Sequence, residues 1–364
     1  MTRSSPIPLP LSGREICEAA DHACAAGPRA PGVDGRNHRD TFGGGRGSGQ
    51  HIATLNGLRY HRHGYEFSLL RSARITDEFT GKVRKLGIPI YRDGIMLRAL
   101  ANQISRYVPL SPVDVCRSGV DGRVSVPLIA LLRRQHPELL PFHLLRQAKY
   151  PNRRPLVGIK IDVANAFPSV SCDAILGSEL AARMLPKDLR TALAAIYRFY
   201  SPTGVGLPLG LPTSPAMFRI GMAPVDAYLE SLGAPAYRYM DDIAVLVQDP
   251  GRADKIMAGI SARLAPYGLS ISEKKSGAFP GEFPWLGHTI SVDGLIDLSE
   301  ETADRLQVRA LATENESVGQ VVQALAHFAL ASKGPRFRET VKVIQQQFGR
   351  PIEWPGKDFR DVVR

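Results

Sequence analysis

The sequence predicts an α+β fold, an antiparallel sheet with helices packed beside it rather than a doubly wound parallel sheet. Residues 156–163 form a nearly continuous apolar run of strand length, the pattern of a strand covered on both faces. Residues 237–247 and 283–290 each read as two short strands joined by a tight turn, and such hairpins make antiparallel neighbours. Amphipathic stretches of helical length lie between them, without the regular strand–helix–strand alternation of a parallel sheet.

In chain order, residues 1–50 are rich in Pro, Gly and Arg, and the Gly-rich run at 43–49 has the composition of a spacer rather than a core. Residues 55–89 are basic and partly strand-like. Asp93 is the expected N-cap of a helix whose buried side carries Ile95, Met96, Leu97, Leu100, Ala101, Ile104 and Val108. A further helix is expected at 126–135. After the central strand, Ser171 and Asp173 open a helix through Met184, and a second follows from Lys187 to Tyr200. The glycine–proline stretch 204–212 is a loop. Thr213-Ser214-Pro215 then reads as a cap with proline in the first turn of a helix running towards Leu232. Residues 254–267 are amphipathic, Leu269-Ser270-Ile271 is a short strand, and the chain from Asp297 onward is mainly helical. No internal repeat is present.

A chain of 364 residues accommodates two or three packed subdomains, and 44% hydrophobic with 22% charged residues is the composition of a globular protein. The net charge of +11 points to a polyanionic partner, because phosphate contacts dominate nucleic-acid affinity. Cys17, Cys24, Cys116 and Cys172 are scattered, which argues against a zinc ribbon or a disulfide framework and makes the cytoplasm the expected location. His51, His61 and His63 lie close together without cysteine companions and read as surface or phosphate-facing residues. No apolar run is long enough to span a membrane, so no membrane association is expected.

The chemistry centres on Tyr239-Met240-Asp241-Asp242, two carboxylates set abruptly among apolar and aromatic residues. Burying a charge there is costly unless a cation accompanies it, and hard oxygen donors suit Mg²⁺. A solvated acidic hairpin turn is the alternative reading. Asp162 ends the central strand; if that strand lies beside the hairpin, three carboxylates come to one end of the sheet. Two-metal phosphoryl transfer needs such an arrangement.

At this point the sequence resembles the reverse transcriptases, most closely the bacterial branch that includes group II intron, retron and diversity-generating enzymes. Arg84-Lys85-Leu86-Gly87-Ile88-Pro89 with Asp93 resembles the fingers motif, Asp162-Val163-Ala164-Asn165-Ala166-Phe167 motif A, and Gly206-Leu207-Pro208-Leu209-Gly210-Leu211-Pro212 with Thr213-Ser214-Pro215 motif B. Tyr239-Met240-Asp241-Asp242 is similar to motif C, Ser272-Glu273-Lys274-Lys275-Ser276 to motif D, and Trp285-Leu286-Gly287 to the primer grip of motif E. Six motifs in the family's order make a specific signal where any one would be weak.

The resemblance implies a right-handed polymerase: an N-terminal extension (1–54), fingers (55–155), a palm (156–296) and a thumb-like helical region (297–364). Asp162 and Asp241, with the Val163 carbonyl, would hold two Mg²⁺ ions (or Mn²⁺), with Asp242 in support. Arg84 and Lys82 would neutralise the triphosphate, Phe167 would exclude a ribose 2′-hydroxyl, and Leu209 and Gly210 would border the nucleotide. Lys275, with Lys274 as a rival, would protonate the departing pyrophosphate. Leu209 stands where most relatives carry glutamine, which implies looser nucleotide alignment and lower fidelity. The usual lysine before the fingers turn is replaced within Arg74-Ile75-Thr76-Asp77-Glu78. Arg305, Arg309, Lys333, Arg336, Arg338 and Lys342 would face the template–primer backbone.

The implied activity is RNA-directed DNA polymerisation, with dNTPs, an RNA template, and a DNA or RNA primer. A stand-alone host or defence role and a cognate non-coding RNA would accompany it. Template-independent DNA synthesis, and RNA binding without catalysis, are the alternatives.

Overall fold

The computed structural model describes residues 4–26, 64–76, 83–114, 157–291, 296–311 and 334–349, with positions 321 and 325. The 43–49 spacer, the three neighbouring histidines, Lys82, Lys333 and the helix expected at 126–135 lie outside them. No helix of the described residues is long and apolar enough to cross a membrane.

The main sheet has four antiparallel strands. β3 (Val157–Asp162) lies inside it between β5 (Asp242–Val247) and β6 (Gly277–Pro280), and β4 (Ala236–Tyr239) flanks β5. That interior place explains the continuous apolar run, because both faces of β3 are covered. β1 (Arg71–Thr76) and β2 (Val83–Ile88) form a separate, largely exposed hairpin. β7 (Glu282–Trp285), β8 (His288–Ser291) and β9 (Ile296–Leu298) make a third sheet. It meets the main sheet where Phe283 fills the space beside Gly158: a Cβ on Gly158 would lie 2.5 Å from the Phe283 ring.

Helices α1 (Gly13–Ala26) and α2 (Tyr91–Tyr107) pack together, and α2 leans on α7 (Thr213–Ser231), which is buried along most of its length. Between β3 and α7 come α3 (Ala166–Ser169), α4 (Cys172–Gly177), α5 (Glu179–Met184) and α6 (Lys187–Tyr200). α8 (Ala253–Leu264) packs on α7. One hydrophobic core runs from Ile7 to Leu269. A second joins β9 to α9 (Glu300–Leu311) and α10 (Pro335–Phe348) through Leu298, Leu306, Phe337 and Ile344.

Several local expectations give way to tertiary partners. Within the N-terminal extension, Leu9 and Ala19 are fully buried, and Ile7 pairs with Tyr65. Arg106 holds α1 to α2 through Glu15 at 2.7 Å and Glu18 at 3.4 Å. Asp93 is not the cap of α2, whose N-cap is Ile90. It lies buried in the first turn, where it accepts bonds from the Tyr65 hydroxyl at 2.9 Å and the Ser68 amide at 2.8 Å. An acid still complements the helix dipole there, while satisfying donors of a second segment.

The helix expected through Met184 is broken in two. Ser171 caps α4 by accepting from the Ala174 amide, and Ser178, in an extended conformation, caps α5 through the Ala181 amide. Thr213 and Ser214 lie inside the first turn of α7, after Pro212. Their hydroxyls serve other groups: Thr213 accepts from the Tyr197 hydroxyl at 2.9 Å, and Ser214 donates to the Pro208 carbonyl at 2.8 Å. Instead of a strand, Leu269-Ser270-Ile271 contributes a single bridge, from Ile271 to Val163.

Candidate active site

Tyr239 pairs with Asp242 across the β4–β5 hairpin, leaving Met240 and Asp241 as its two-residue turn. Met240 takes a left-handed conformation, φ +55°, and its carbonyl accepts a bond of 3.0 Å from the Arg238 guanidinium. The Asp241 carbonyl accepts a bond of 3.2 Å from the Val163 amide, tying the turn to the end of β3. On the adjacent strand, Asp162 is the register partner of Asp242. The segment after α8 brackets Asp162: its amide donates to Ser276 Oγ at 3.0 Å, and its carbonyl accepts from the Ser272 amide at 2.7 Å. The three acids therefore share one end of the sheet, as the sequence pattern anticipated.

Charge is unbalanced at that end. Burial, reinforced by the Asp162 charge, raises the Asp241 pKa, against its own backbone bond and the cations Arg84 and Lys275. Asp242 is pushed from 3.8 to about 6, first by burial and then by Asp241, while Lys160 and Lys275 pull it down. Lys275 Nζ lies 3.6 Å from Asp162 Oδ1 and is more than half exposed, so its ammonium reaches the cluster from the solvent side. Lys275 thus contacts Asp162 directly, beside the exposed Lys274.

Among the described residues, no three carboxylate, imidazole or thiol side chains close into a ready-made metal cage. Asp162 and Asp242 are register partners, and Asp241 stands in the adjoining turn. The donor chemistry fits a divalent ion held by one or two carboxylates and completed by substrate phosphates, which is how Mg²⁺ usually binds. Burial and the Asp162 charge raise the proton affinity of Asp241, and such an ion would relieve that repulsion.

The rim is built from distant segments. Phe167 stacks on Phe218 with ring centroids 4.9 Å apart and is half-buried. Its carbonyl accepts from the Leu207 amide at 2.7 Å. The 204–212 loop is held at Gly206 by the Ser201 hydroxyl, at Pro208 by Ser214, and at Leu209, whose carbonyl accepts from the Gly87 amide at 2.7 Å. Gly210 sits at φ +100°, and a Cβ there would lie 2.5 Å from the Gly87 carbonyl oxygen. β2 is thereby fastened to the loop, and its exposed Arg84 is near enough for its charge to act on Asp241.

Trp285, Leu286 and Gly287 form the end of β7 and the turn into β8. Leu286 at φ +51° and Gly287 at φ +78° give the two left-handed residues that suit the twist of a tight hairpin. Trp285 is buried near Tyr237, and the Gly287 carbonyl accepts from the Ser299 amide at 3.0 Å, so this hairpin leads towards the second core. His288 beside it is buried and its pKa falls to about 4, chiefly through burial.

Sequence reasoning missed one group. Arg238 lies beneath the acidic turn with Asp226, Asp114 and Arg219, all four buried. The available signal was charged residues inside apolar runs, at Arg219 and Asp226 in α7 and at Arg238 between two tyrosines.

Residues 76–290, more than half of the chain, match the family described as reverse transcriptase (RNA-dependent DNA polymerase). The chain belongs to that family. It is 26% identical over 185 residues to the retrovirus-related Pol polyprotein from transposon opus of Drosophila melanogaster, a match covering 49% of this chain and 17% of that polyprotein. Similar solved structures include apo telomerase from Candida tropicalis, with a TM-score of 0.45 and 12% identity over 78% of this chain and 57% of that one. Another is the foamy viral protease–reverse transcriptase in complex with double-stranded DNA, with a TM-score of 0.36 and 15% identity over 81% of this chain and 42% of that one. The chain thus spans a small part of the Pol polyprotein and about half of the foamy viral chain.

In the terms of the reverse transcriptase family, the mixed helical and antiparallel architecture is a polymerase palm fold. The family generally uses divalent metal ions and nucleic-acid substrates, consistent with the donor set described above.

Proposed function

We propose that this chain is an RNA-directed DNA polymerase that adds deoxynucleotides to the 3′-hydroxyl of a DNA or RNA primer on an RNA template. The observation that carries the reading is the pairing of Asp162 with Asp242, with Asp241 tied beside Val163 at the same end of the sheet. Asp162, Asp241 and the Val163 carbonyl would hold two Mg²⁺ ions, or Mn²⁺ in their place, supplying Lewis acidity to the primer hydroxyl and charge neutralisation to the triphosphate. Arg84, on the hairpin fastened to the 204–212 loop, grips phosphate oxygens with its planar fork. Lys275, whose ammonium lies 3.6 Å from Asp162, would give a proton to the departing pyrophosphate. Phe167, braced by Phe218, crowds the 2′ position of the sugar. The Trp285–Gly287 turn steadies the primer strand.

The separate core of residues 298–344 supports a thumb beginning near 297, and the exposed basic β1–β2 hairpin supports a fingers assignment within 55–155. Membership of the bacterial branch rests on motif residues alone: Thr213-Ser214-Pro215 favours the intron and retron style, and Leu209 the diversity-generating one. A cytoplasmic host or defence role with a cognate RNA follows from that branch. The test is primer extension. Asp241→Ala removes several kcal/mol of transition-state stabilisation and should slow extension by about 10³-fold. RNA–DNA hybrid binding, carried by the basic surface, should be nearly unchanged. Equal extension by the wild type and this variant would refute the reading.

A further inference from the structure

Beneath the acidic turn lies a buried quartet of two arginines and two aspartates. Arg238, 1% exposed, grips Asp226 of α7 with two bonds, Nε to Oδ1 at 2.5 Å and Nη2 to Oδ2 at 2.7 Å. Nη2 also lies 2.8 Å from Asp114, which Arg219 of α7 contacts at the same distance. The remaining terminal nitrogen, Nη1, donates to the Met240 carbonyl. The backbone adds a further hold: the Arg238 amide donates to the Val113 carbonyl at 2.7 Å, and Asp114 bridges to Arg238.

The two arginines and two aspartates offset one another in formal charge, although burial still raises the Asp226 carboxyl's pKa against the pull of Arg238. Burial opposes the charge on Arg238, but the bonds to Asp226 and Asp114 outweigh it and hold the guanidinium firmly protonated. A planar fork fixed on two carboxylates has almost no freedom left, so the nitrogen aimed at Met240 is fixed as well. Met240 is a non-glycine residue in the left-handed region, a conformation that surrounding structure must enforce. The next residue is Asp241, whose own carbonyl is held by Val163. The turn is thus clamped from both sides, by Arg238 before the acid and by the end of β3 after it.

We propose that Arg238 is a positioning residue for polymerisation: its bond to the Met240 carbonyl holds Asp241 in place against Asp162. This rests on the polymerase reading above. Arg219 supplies the control, because it holds the same Asp114 from α7 through its Nε at 2.8 Å, whereas the bond to the Met240 carbonyl comes from Arg238. The experiment compares Arg238→Lys with Arg219→Lys, recording melting temperature, hybrid affinity, KM for dNTP, and kcat for single-nucleotide extension per folded molecule. Lysine keeps the charge but cannot span two carboxylates and a carbonyl together.

Both variants should lose melting temperature. Only Arg238→Lys should lose kcat, by about 10- to 100-fold, the scale of a small misplacement of a reacting group. Its hybrid affinity and KM should stay within about twofold. Should Arg238→Lys fail to fold, Asp226→Asn loosens the same guanidinium from the α7 side and should lower kcat with KM unchanged. Equal kcat for the two lysine variants, or an unaltered kcat in Asp226→Asn, overturns the positioning role while leaving an active wild type to support the polymerase reading. A wild type that extends no primer overturns both.

Discussion

Asp242 carries a carboxyl pushed up to about 6, and the cause has a consequence for stability. Its proton is held more tightly in the folded chain than in the unfolded one, where the ordinary value is 3.8. The stability linked to that proton is therefore full below about 3.8 and is lost as pH rises through about 6. At pH 8 the metal-free protein keeps a partly buried, repelled carboxylate that contributes unfavourably. Asp242→Asn cannot ionise, so in chelator it should melt a few degrees above the wild type at pH 8, with the gap closing towards pH 4. Thermal melts at the two pH values check this; a gap of equal size at both would contradict the burial and repulsion argued for Asp242. Asp241 is raised for the same first reason, and its neighbour Lys275 is too exposed to cancel the effect.

At the scale of elements, the 204–212 loop joins two parts of the site that sequence order keeps far apart. Gly210 is its tightest point. A side chain there meets both an unfavourable φ of +100° and the Gly87 carbonyl at 2.5 Å. Gly210→Ala should cost about 2 kcal/mol of stability and detach β2 with its Arg84 from the loop. The KM for dNTP should then rise several-fold, with a smaller change in kcat; urea denaturation and steady-state kinetics measure both. Wild-type stability and KM in this variant would remove the role given to the Gly87–Leu209 contact. What was legible beforehand follows the same division between near and far. The β4–β5 and β7–β8 hairpins, the interior strand β3, and helices α6 and α8 were readable because pattern and turn chemistry are local. The end of β3 and the acidic turn could be joined only by assuming that the two strands lie side by side. Asp93, Thr213 and Ser214 looked like helix caps because capping is the local use of such residues; their actual partners are a strand-like segment, a tyrosine and a loop carbonyl. The Arg238 quartet showed in sequence only as charges inside apolar runs, and its pairing could not be read because its members come from residues 114, 219, 226 and 238.

The described residues include a large hydrophobic core and a separate C-terminal one, and the chain carries a net charge of +11. Two groups of the described exposed cations lie on elements that flank the site in sequence. Arg71, Arg74, Arg84 and Lys85 line the β1–β2 hairpin, where Arg74 faces Lys85 in register, while Arg309, Arg338 and Lys342 lie on α9 and α10. Arg305 and Arg336 are partly committed elsewhere, to Glu301 and to the Leu298 carbonyl. Like charges set opposite each other on an exposed hairpin disfavour the folded chain by itself, and a polyanion relieves that cost. A nucleic-acid duplex laid between the hairpin and the helical region would release a counterion for each phosphate neutralised. Four such contacts give a log–log slope of about −3.6, a loss of about 10²-fold in affinity for a fourfold rise in salt. Fluorescence anisotropy of an RNA–DNA hybrid between low and physiological salt measures that slope. Arg74→Ala and Lys85→Ala should each reduce it by about one, whereas Arg14→Ala, whose guanidinium is paired with Glu18 on α1, should leave it unchanged. A salt-independent affinity, or a slope indifferent to the hairpin cations, would exclude this face from the nucleic-acid surface.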